Sequence, residues 1–224
     1  MELRLTAAAI LGAWEIGAAR RPLDRAIAIL WAAGAVEDID PADLSLAERD
    51  RLLLSIRANT FGPTLPACAT CPSCNAELEM ELDAGRLIDS LPAIDTSDQP
   101  LRLLTSRDLA AICNLAPDKQ ASEIRARLCN RKLTDGEAEV IDQRIEQQVV
   151  ATELYAEITC SECNAGWSES LDVTSHIWAE IEMTALGLLG EVSEIAAAYG
   201  WSEGEILSMS AARRTVYLTQ ARRA

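Results

Sequence analysis

The sequence has few of the side chains that enzymes use for acid–base chemistry. His176 is its only histidine, and the chain contains no G-x-S-x-G, no phosphate-binding glycine loop and no H-x-E beside a C-x-x-C. His176 and Glu180 are one helical turn apart and could in principle hold a metal, but a lone histidine at a helix start is far more often a surface or capping residue. We therefore expect a protein that is not an enzyme and has no small-molecule substrate.

Long apolar runs are also missing. The mostly apolar runs at 26–36 and 183–190 are much shorter than the roughly 20 residues that a membrane-spanning helix needs. Near the N-terminus, Glu2 and Glu15 surround a brief apolar run, which makes a poor signal peptide. We expect a protein that is cytoplasmic where it is synthesised and that has no membrane partner.

Basic residues are few and unevenly placed. The chain has 20 Lys and Arg against 35 Asp and Glu, a formal net charge of −15. Residues 146–212 contain no Lys or Arg, and then Arg213, Arg214, Arg222 and Arg223 close the chain. Because so negative a surface repels phosphate backbones, binding to nucleic acid is disfavoured. The arginines of the tail could bind either the acidic surface of a partner or the acidic body of the protein itself.

The composition favours a mainly α fold. Phe and Tyr are scarce, with one and three residues, and Ala and Leu abound. Hydrophobic residues make up 49% of the chain, enough for a substantial core. Capping boxes, in which Ser45 precedes Glu48 and Ser202 precedes Glu205, mark the starts of two predicted helices.

Two C-x-x-C segments repeat at one constant offset along the chain. They are Cys71-Pro72-Ser73-Cys74-Asn75-Ala76 and Cys160-Ser161-Glu162-Cys163-Asn164-Ala165, and at the same offset Leu82-Asp83 matches Leu171-Asp172. We call the two segments, 71–76 and 160–165, the first and second knuckle. Four thiolates in a tetrahedron are the ligand set of a structural Zn²⁺. We predict one zinc site made by Cys71, Cys74, Cys160 and Cys163; two separate disulfides or unligated core cysteines are the alternatives.

Three further cysteines bring the total to an odd number, seven, which fits a reducing compartment better than a disulfide scaffold. Cys68 stands at C-x-x-C spacing before Cys71 and is a spare thiol or a replacement ligand. Cys113 and Cys129 lie in helical patterns without partners at ligand spacing. We expect both to be buried small apolar residues.

The knuckles divide the chain. Each is followed by a predicted short strand, at 77–82 and 167–173, so that the cysteines would form a small zinc ribbon of two knuckles with short β-hairpins. A helical insertion must separate its halves. The predicted regions are N-terminal helices at 1–64, the first knuckle region at 65–84, the insertion at 85–153, the second knuckle region at 154–174 and C-terminal helices at 175–224.

The most regular predicted helix follows the second knuckle. Apolar residues alternate there at spacings of three and four: Trp178, Ile181, Ala185, Leu188, Val192, Ile195 and Tyr199. This seam favours packing on the protein's own helices over an intermolecular coiled coil. The acids Glu180, Glu182, Glu191 and Glu194 fall off the seam, where solvent would keep them charged. Gly187 and Gly190 would each weaken an isolated helix by roughly 1 kcal/mol, which suggests close approach of another backbone.

Several segments in combination resemble a known family. Residues 44–57, Phe61-Gly62, the first knuckle and Leu82-Asp83 are similar to the baseplate hub-assembly subunit family of T-even-like contractile phage tails and its relatives in contractile injection systems. The segments 178–181, 188–192, 199–210 and 213–218 are similar to the relatives in injection systems. The positions that match in the N-terminal part are Asp50, Arg51, Leu53, Leu54, Arg57, Phe61 and Gly62. Without the resemblance, Asp50 and Arg51 fit a solvated helix face equally well.

The resemblance implies a structural or assembly protein of a contractile tail-like particle, with other baseplate or tail proteins as partners. It implies partner-binding roles for Asp50, Arg51, Arg57, Phe61, Trp201, Arg213, Arg214 and Tyr217. The residues by themselves imply only a helical protein stapled by zinc. An assembly factor and a permanent particle component are both open, and the alternative is a cytosolic zinc-ribbon adaptor or regulator that binds protein or nucleic acid.

Overall fold

A computed structural model describes residues 3–92, 101–129 and 135–223. As predicted, the protein is mostly helical, and its described strands form two small two-stranded sheets. The helices are α1 (Ala7–Gly17), α2 (Pro22–Ala32), α3 (Leu46–Phe61), α4 (Ala84–Ser90), α5 (Ser106–Ile112), α6 (Pro117–Leu128), α7 (Asp135–Thr152), α8 (Val173–Tyr199), α9 (Glu203–Leu207) and α10 (Ala211–Ala221), with a 3₁₀ turn at Pro41–Asp43. The strands are β1 (Thr64–Thr70), β2 (Glu77–Asp83), β3 (Tyr155–Thr159) and β4 (Gly166–Ser170).

Local signals set the ends of the N-terminal helices. The predicted capping box of α3 is present, since the Ser45 hydroxyl accepts from the amide of Glu48 at 3.2 Å and the Glu48 carboxylate accepts from the amide of Ser45. Pro22 opens α2, where its fixed φ suits the first turn. Gly62 ends α3 with a φ of 104°, a conformation that disfavours side chains with a Cβ.

The main core lies where α1, α2 and α3 pack around the first half of α8. Ile177, Ile181 and Ala185 of α8 are fully buried in it. Gly17 of α1 lies so close to Trp178 that an added Cβ would stand 2.5 Å from the indole ring. The predicted N-terminal region 1–64 and the first half of α8 therefore share one hydrophobic core.

The second half of α8 packs on the C-terminal helices. Ile195, Ile206 and Leu218 form a separate small core there. Tyr199 stacks on Trp201 with ring centroids 4.8 Å apart, and Tyr217 closes the aromatic cluster edge-on to both. The predicted seam of α8 thus packs on this chain's own helices along its whole length.

The exposed side of α8 differs from the expectation for its glycines. A Cβ added at Gly187 or Gly190 would meet nothing within 4 Å, so no backbone of the described chain approaches them. Met183 and Leu186 lie on the same side and are 70% and 55% exposed.

The helical insertion packs beside α3 through a core of its own. That core contains Leu46, Leu101, Leu104, Leu128, Cys129, Ile141 and Ile145.

Asp108 is the polar centre of the insertion. Its side chain is 1% exposed, accepts two hydrogen bonds of 2.6 Å from Arg102 and one of 2.9 Å from Arg127, and caps α5 with Thr105. Burial alone would raise the pKa of Asp108, but the hydrogen bonds from Arg102, Thr105 and Arg127 outweigh it and hold the pKa well below its usual value. The ion pairs therefore stabilise the insertion whenever Asp108 is charged.

The two hairpins form separate antiparallel sheets. In the first, β1 pairs with β2 from Thr64 opposite Asp83 to Thr70 opposite Glu77. In the second, β3 pairs with β4 over a shorter stretch, from Tyr155–Ser170 to Thr159–Gly166. The base of the first hairpin enters the main core through Leu65, and Leu171 after β4 packs against the same core. Both hairpins therefore project from one body with their knuckles at the tips.

Candidate metal centre

The four cysteines of the two knuckles lie together at the hairpin tips. Their sulfur atoms all lie within 4.8 Å of one another. Cys71 Sγ is 3.7 Å from Cys163 Sγ, and Cys74 Sγ is 3.6 Å from Cys160 Sγ. Four sulfurs at about 2.3 Å from a tetrahedral Zn²⁺ would stand about 3.8 Å apart, so the cluster fits such an ion. The repeat in the sequence thus predicted correctly which four cysteines meet.

The backbone of each knuckle makes the same tight turn. In the first, the amide of Cys71 donates to Ala76 O and the amide of Asn75 donates to Cys71 O, both at 2.9 Å. In the second, Cys160 and Asn164 make the equivalent bonds at 2.9 and 3.0 Å. Asn75 and Asn164 have φ of 57° and 59°, in the left-handed region that asparagine tolerates better than most residues. The recurring Asn after the second cysteine is therefore needed for the turn itself.

The electrostatics of the cluster differ from one thiol to the next. Burial alone would raise the pKa of Cys71, but the amides of Cys74 and Ser73 and the thiols of Cys160 and Cys163 lower it to about 7. The amide of Ala76 lowers the pKa of Cys74, but Cys163, burial and the other sulfurs outweigh it and raise that pKa to about 12. Sulfurs this close cannot all carry charge unless a cation compensates them, and a divalent metal would supply that charge.

The other three cysteines lie outside the cluster. Cys68 is exposed on β1 opposite Glu79, and Ala69 and Thr70 separate it from the first knuckle. Cys129 is buried, as predicted, in the core of the insertion. Cys113 is exposed and donates to Ala110 O at 3.2 Å, so the prediction that it is buried was wrong. Cys113 directly follows the last residue of α5, and its side chain is exposed there.

A metal site at His176 and Glu180, which the sequence already disfavoured, has no support among the described residues. Glu180 is engaged by Arg57 of α3, which donates to its two oxygens at 2.7 and 3.0 Å. Among the described residues, the cysteine cluster is the only group of three or more potential ligands close enough to hold an ion. His176 lies instead at the start of α8, half-buried, with its Nε2 atom out of solvent and without a hydrogen-bond partner in the described chain.

Three residues assigned to partner binding are buried in this chain's own fold. Arg57 is 2% exposed and also donates to Gly62 O. Asp50 is 8% exposed and pairs with Arg49 at 2.7 Å, and Arg214 is 5% exposed and pairs with Glu191 of α8 at 2.7 Å. These three side chains have intramolecular partners, and partner binding through them stays a prediction.

The other five residues to which the resemblance assigns partner binding differ in exposure. Arg51 is half-buried and donates to the backbone oxygens of Leu91 and Pro92, and Phe61 packs against the main core. Trp201 and Tyr217 belong to the aromatic cluster beside α8. Arg213 is the most accessible of the set and lies over the ring of Tyr217 at 5.7 Å.

The acids of α8 are more engaged than the sequence indicated. Glu180, Glu191 and Glu194 pair with Arg57, Arg214 and Arg222, and Glu182 is exposed. Two arginines of the C-terminal tail thus bind the acidic body of the protein itself. The Arg57–Glu180 pair spans 123 residues of sequence, a separation at which no local spacing could have identified it.

None of the helices in the described ranges combines the length and apolar character of a membrane span. Comparisons of the chain with protein-family models, with curated proteins and with solved structures found no match.

Proposed function

We propose that the protein is a non-enzymatic scaffold in which one structural Zn²⁺ joins two distant hairpins into a zinc ribbon, and that it acts through protein–protein contacts. The observation that carries this proposal is the cluster of four cysteine sulfurs, two from each knuckle, within 4.8 Å of one another. Four thiolates fill a tetrahedral shell and leave no open position for a substrate or a reactive water. The metal would therefore hold the fold and take no part in a reaction.

The choice of zinc follows from the ligands. Thiolates select zinc, Cu(I) or iron–sulfur clusters over harder ions. Two C-x-x-C turns with their sulfurs at tetrahedral edge lengths are typical of a single structural zinc ion. With four thiolates, the bound ion would leave a local charge of −2, which adds to an already acidic protein.

A contractile tail-like particle is the setting that we propose for this scaffold. Its support is the combination of residues 44–57, Phe61-Gly62, the first knuckle and the C-terminal segments quoted above. The formal net charge of −15 disfavours nucleic acid as the partner and fits contacts with basic protein surfaces. Within the particle, the protein would be a baseplate or hub component or its assembly factor.

Two measurements test the proposal. Metal analysis and X-ray absorption of the purified protein should show one zinc per chain with four sulfur neighbours at about 2.3 Å. Nitrogen or oxygen in the first shell would contradict the closed site. Purified particles from the producing cell should contain the chain if it is a component, whereas an assembly factor should be absent from mature particles but needed for their formation. Normal particles without the coding gene would refute the assignment to a particle.

A further inference from the structure

A cleft of about 1030 Å³ opens between the two hairpins, below their joined tips. Strand residues 66–69 and 79–82 line one side, and residues 156, 158 and 169–171 line the other, with His176 at the start of α8. Toward the first knuckle, a smaller volume of about 720 Å³ shares Cys68, Ala69, Glu79 and Glu169 with it. Together they follow β1 for about five residues, or roughly 17 Å of extended chain.

The sides of this cleft carry apolar side chains that the fold does not fully cover. On the first hairpin, Ala67 and Met80 are directly paired across the strands and are half-buried. On the second, Ala156 is half-buried and Ile158 is 8% exposed. A two-stranded hairpin is marginal by itself and gains stability when such a face is covered. The cleft therefore presents an apolar surface that an additional segment could cover.

The rim of the cleft is acidic. Glu79, Glu81 and Glu169 are exposed there, and none of the residues that line the cleft is Lys or Arg. Within the described parts of the chain, neither Glu79 nor Glu81 has an ion-pair partner, although most acids of α8 have one. Glu79 and Glu81 consequently remain free to meet a cation from outside.

A further feature points to an occupant with a polar backbone. Each sheet has only two strands among the described residues, so its outer edges have unpaired backbone groups. An extended peptide offers N–H and C=O groups that can pair with such an edge.

We propose that this cleft binds an extended segment of a partner protein in which basic residues alternate with apolar ones. Its apolar side chains would cover Ala67, Met80 and Ile158, and its Lys or Arg side chains would meet Glu79 and Glu81, in the manner of strand addition. A second copy of this chain fits the cleft less well, because its net charge is negative, like the rim of the cleft, and the two would repel each other. The inference rests on the proposed function as a protein-binding scaffold and assigns it a partner chemistry.

The test uses the full-length, zinc-loaded protein and a fluorescein-labelled nine-residue peptide in which lysine alternates with valine and threonine. Fluorescence anisotropy at about 0.15 M salt should show saturable binding. Glu79→Gln/Glu81→Gln should weaken this binding about tenfold or more, because it removes both cation partners. The matched control is Glu37→Gln/Asp38→Asn, which removes two charges from an exposed turn elsewhere and should change the affinity less than about twofold.

Amide NMR shifts on peptide addition should concentrate in 64–83, 155–171 and at His176. Equal weakening by the control variant would mean nonspecific charge attraction and would overturn the proposal. So would shifts centred outside the hairpins, an absence of binding, or preference for a peptide of the same composition with helical periodicity. Zinc content is measured on each sample; intact zinc with failed peptide binding refutes the cleft assignment alone, whereas failure to bind zinc refutes the proposed scaffold.

Discussion

Replacing one knuckle cysteine should release the metal and open the hairpin tips without unfolding the helices. Cys163 is the informative position, because it is exposed whereas Cys71 and Cys160 are fully buried. Cys163→Ser therefore removes a ligand without leaving a cavity. A serine hydroxyl is a hard, neutral ligand and a poor substitute for a thiolate on zinc.

The size of the expected effect depends on how much free energy zinc binding contributes to holding the hairpin tips together. Structural zinc contributes about 10 to 16 kcal/mol of apparent binding free energy, which corresponds to dissociation constants from about 50 nM to about 2 pM. The hairpins by themselves are marginal. The main core, in contrast, buries Ile177, Ile181 and Ala185 of α8 against other helices and contains none of the four cysteines. We expect local opening of 64–83 and 155–170 with the helices retained.

Metal analysis and amide hydrogen exchange measure the two halves of this prediction. Cys163→Ser should lose stoichiometric zinc, and the amides of β1 to β4 should exchange much faster while those of α8 keep their protection. Cys68→Ser and Cys113→Ser are the controls, since both thiols are exposed and lie outside the cluster. Cys68→Ser is the sharper control, because Cys68 stands at C-x-x-C spacing before Cys71 and the variant tests whether Cys68 binds the metal.

One zinc per chain in Cys163→Ser would refute the assignment of the site. Loss of zinc in Cys68→Ser would show that the ligand set differs from the cluster of four. If all helices lost protection together with the strands, the main core would depend on the metal, and the proposed division between helical body and zinc-held tips would fail.

The remaining predictions concern stability, measured by urea unfolding. Gly187→Ala should raise the free energy of unfolding by about 0.5 to 1 kcal/mol, because an added Cβ meets no atom, whereas Gly17→Ala should lower it by about 1 to 3 kcal/mol through overlap with an indole ring. Arg57→Met should cost about 3 to 5 kcal/mol, since it leaves a carboxylate without its buried partner, and pairing it with Glu180→Leu should recover part of the loss. Asp108→Asn should destabilise the insertion by about 2 to 4 kcal/mol at pH 7. Because the folded pKa of Asp108 is lowered, its contribution is complete above its ordinary pKa of 3.8 and is lost as the pH falls toward the folded value. The stability difference between the wild type and Asp108→Asn should therefore stay constant well above pH 3.8 and shrink as the pH falls below 3.8.

Features that are encoded within a few residues could be predicted from the sequence. A knuckle needs only two cysteines, a tight turn and a residue that tolerates positive φ, and all three recur at Cys71 and Asn75 and again at Cys160 and Asn164. The capping box at Ser45 is equally local. For the same reason the apolar periodicity of α8 predicted its buried face correctly.

Features that depend on which helix faces meet could not be predicted in this way. Asp50 fits a solvated helix face by sequence, yet α3 is covered on that side and Asp50 is buried, as is Arg57. The partner of Arg57 lies 123 residues away, so no spacing indicates it. Cys113 shows the reverse error, since an apolar side chain at helical spacing was taken for core and lies at the surface.

The cysteine cluster and the cleft are linked because the same two hairpins form both. Leu65 and Leu171 fix the hairpins at their bases, while at the tips the described contacts between them are the sulfur pairs Cys71–Cys163 and Cys74–Cys160. A bound ion would therefore set the width of the cleft without touching the proposed peptide. Removing zinc with a chelator of picomolar affinity should abolish binding of the lysine-alternating peptide, although no ligand to the metal lies among the residues that line the cleft. Unchanged peptide binding by the zinc-free protein would show that the helical body positions the hairpins unaided.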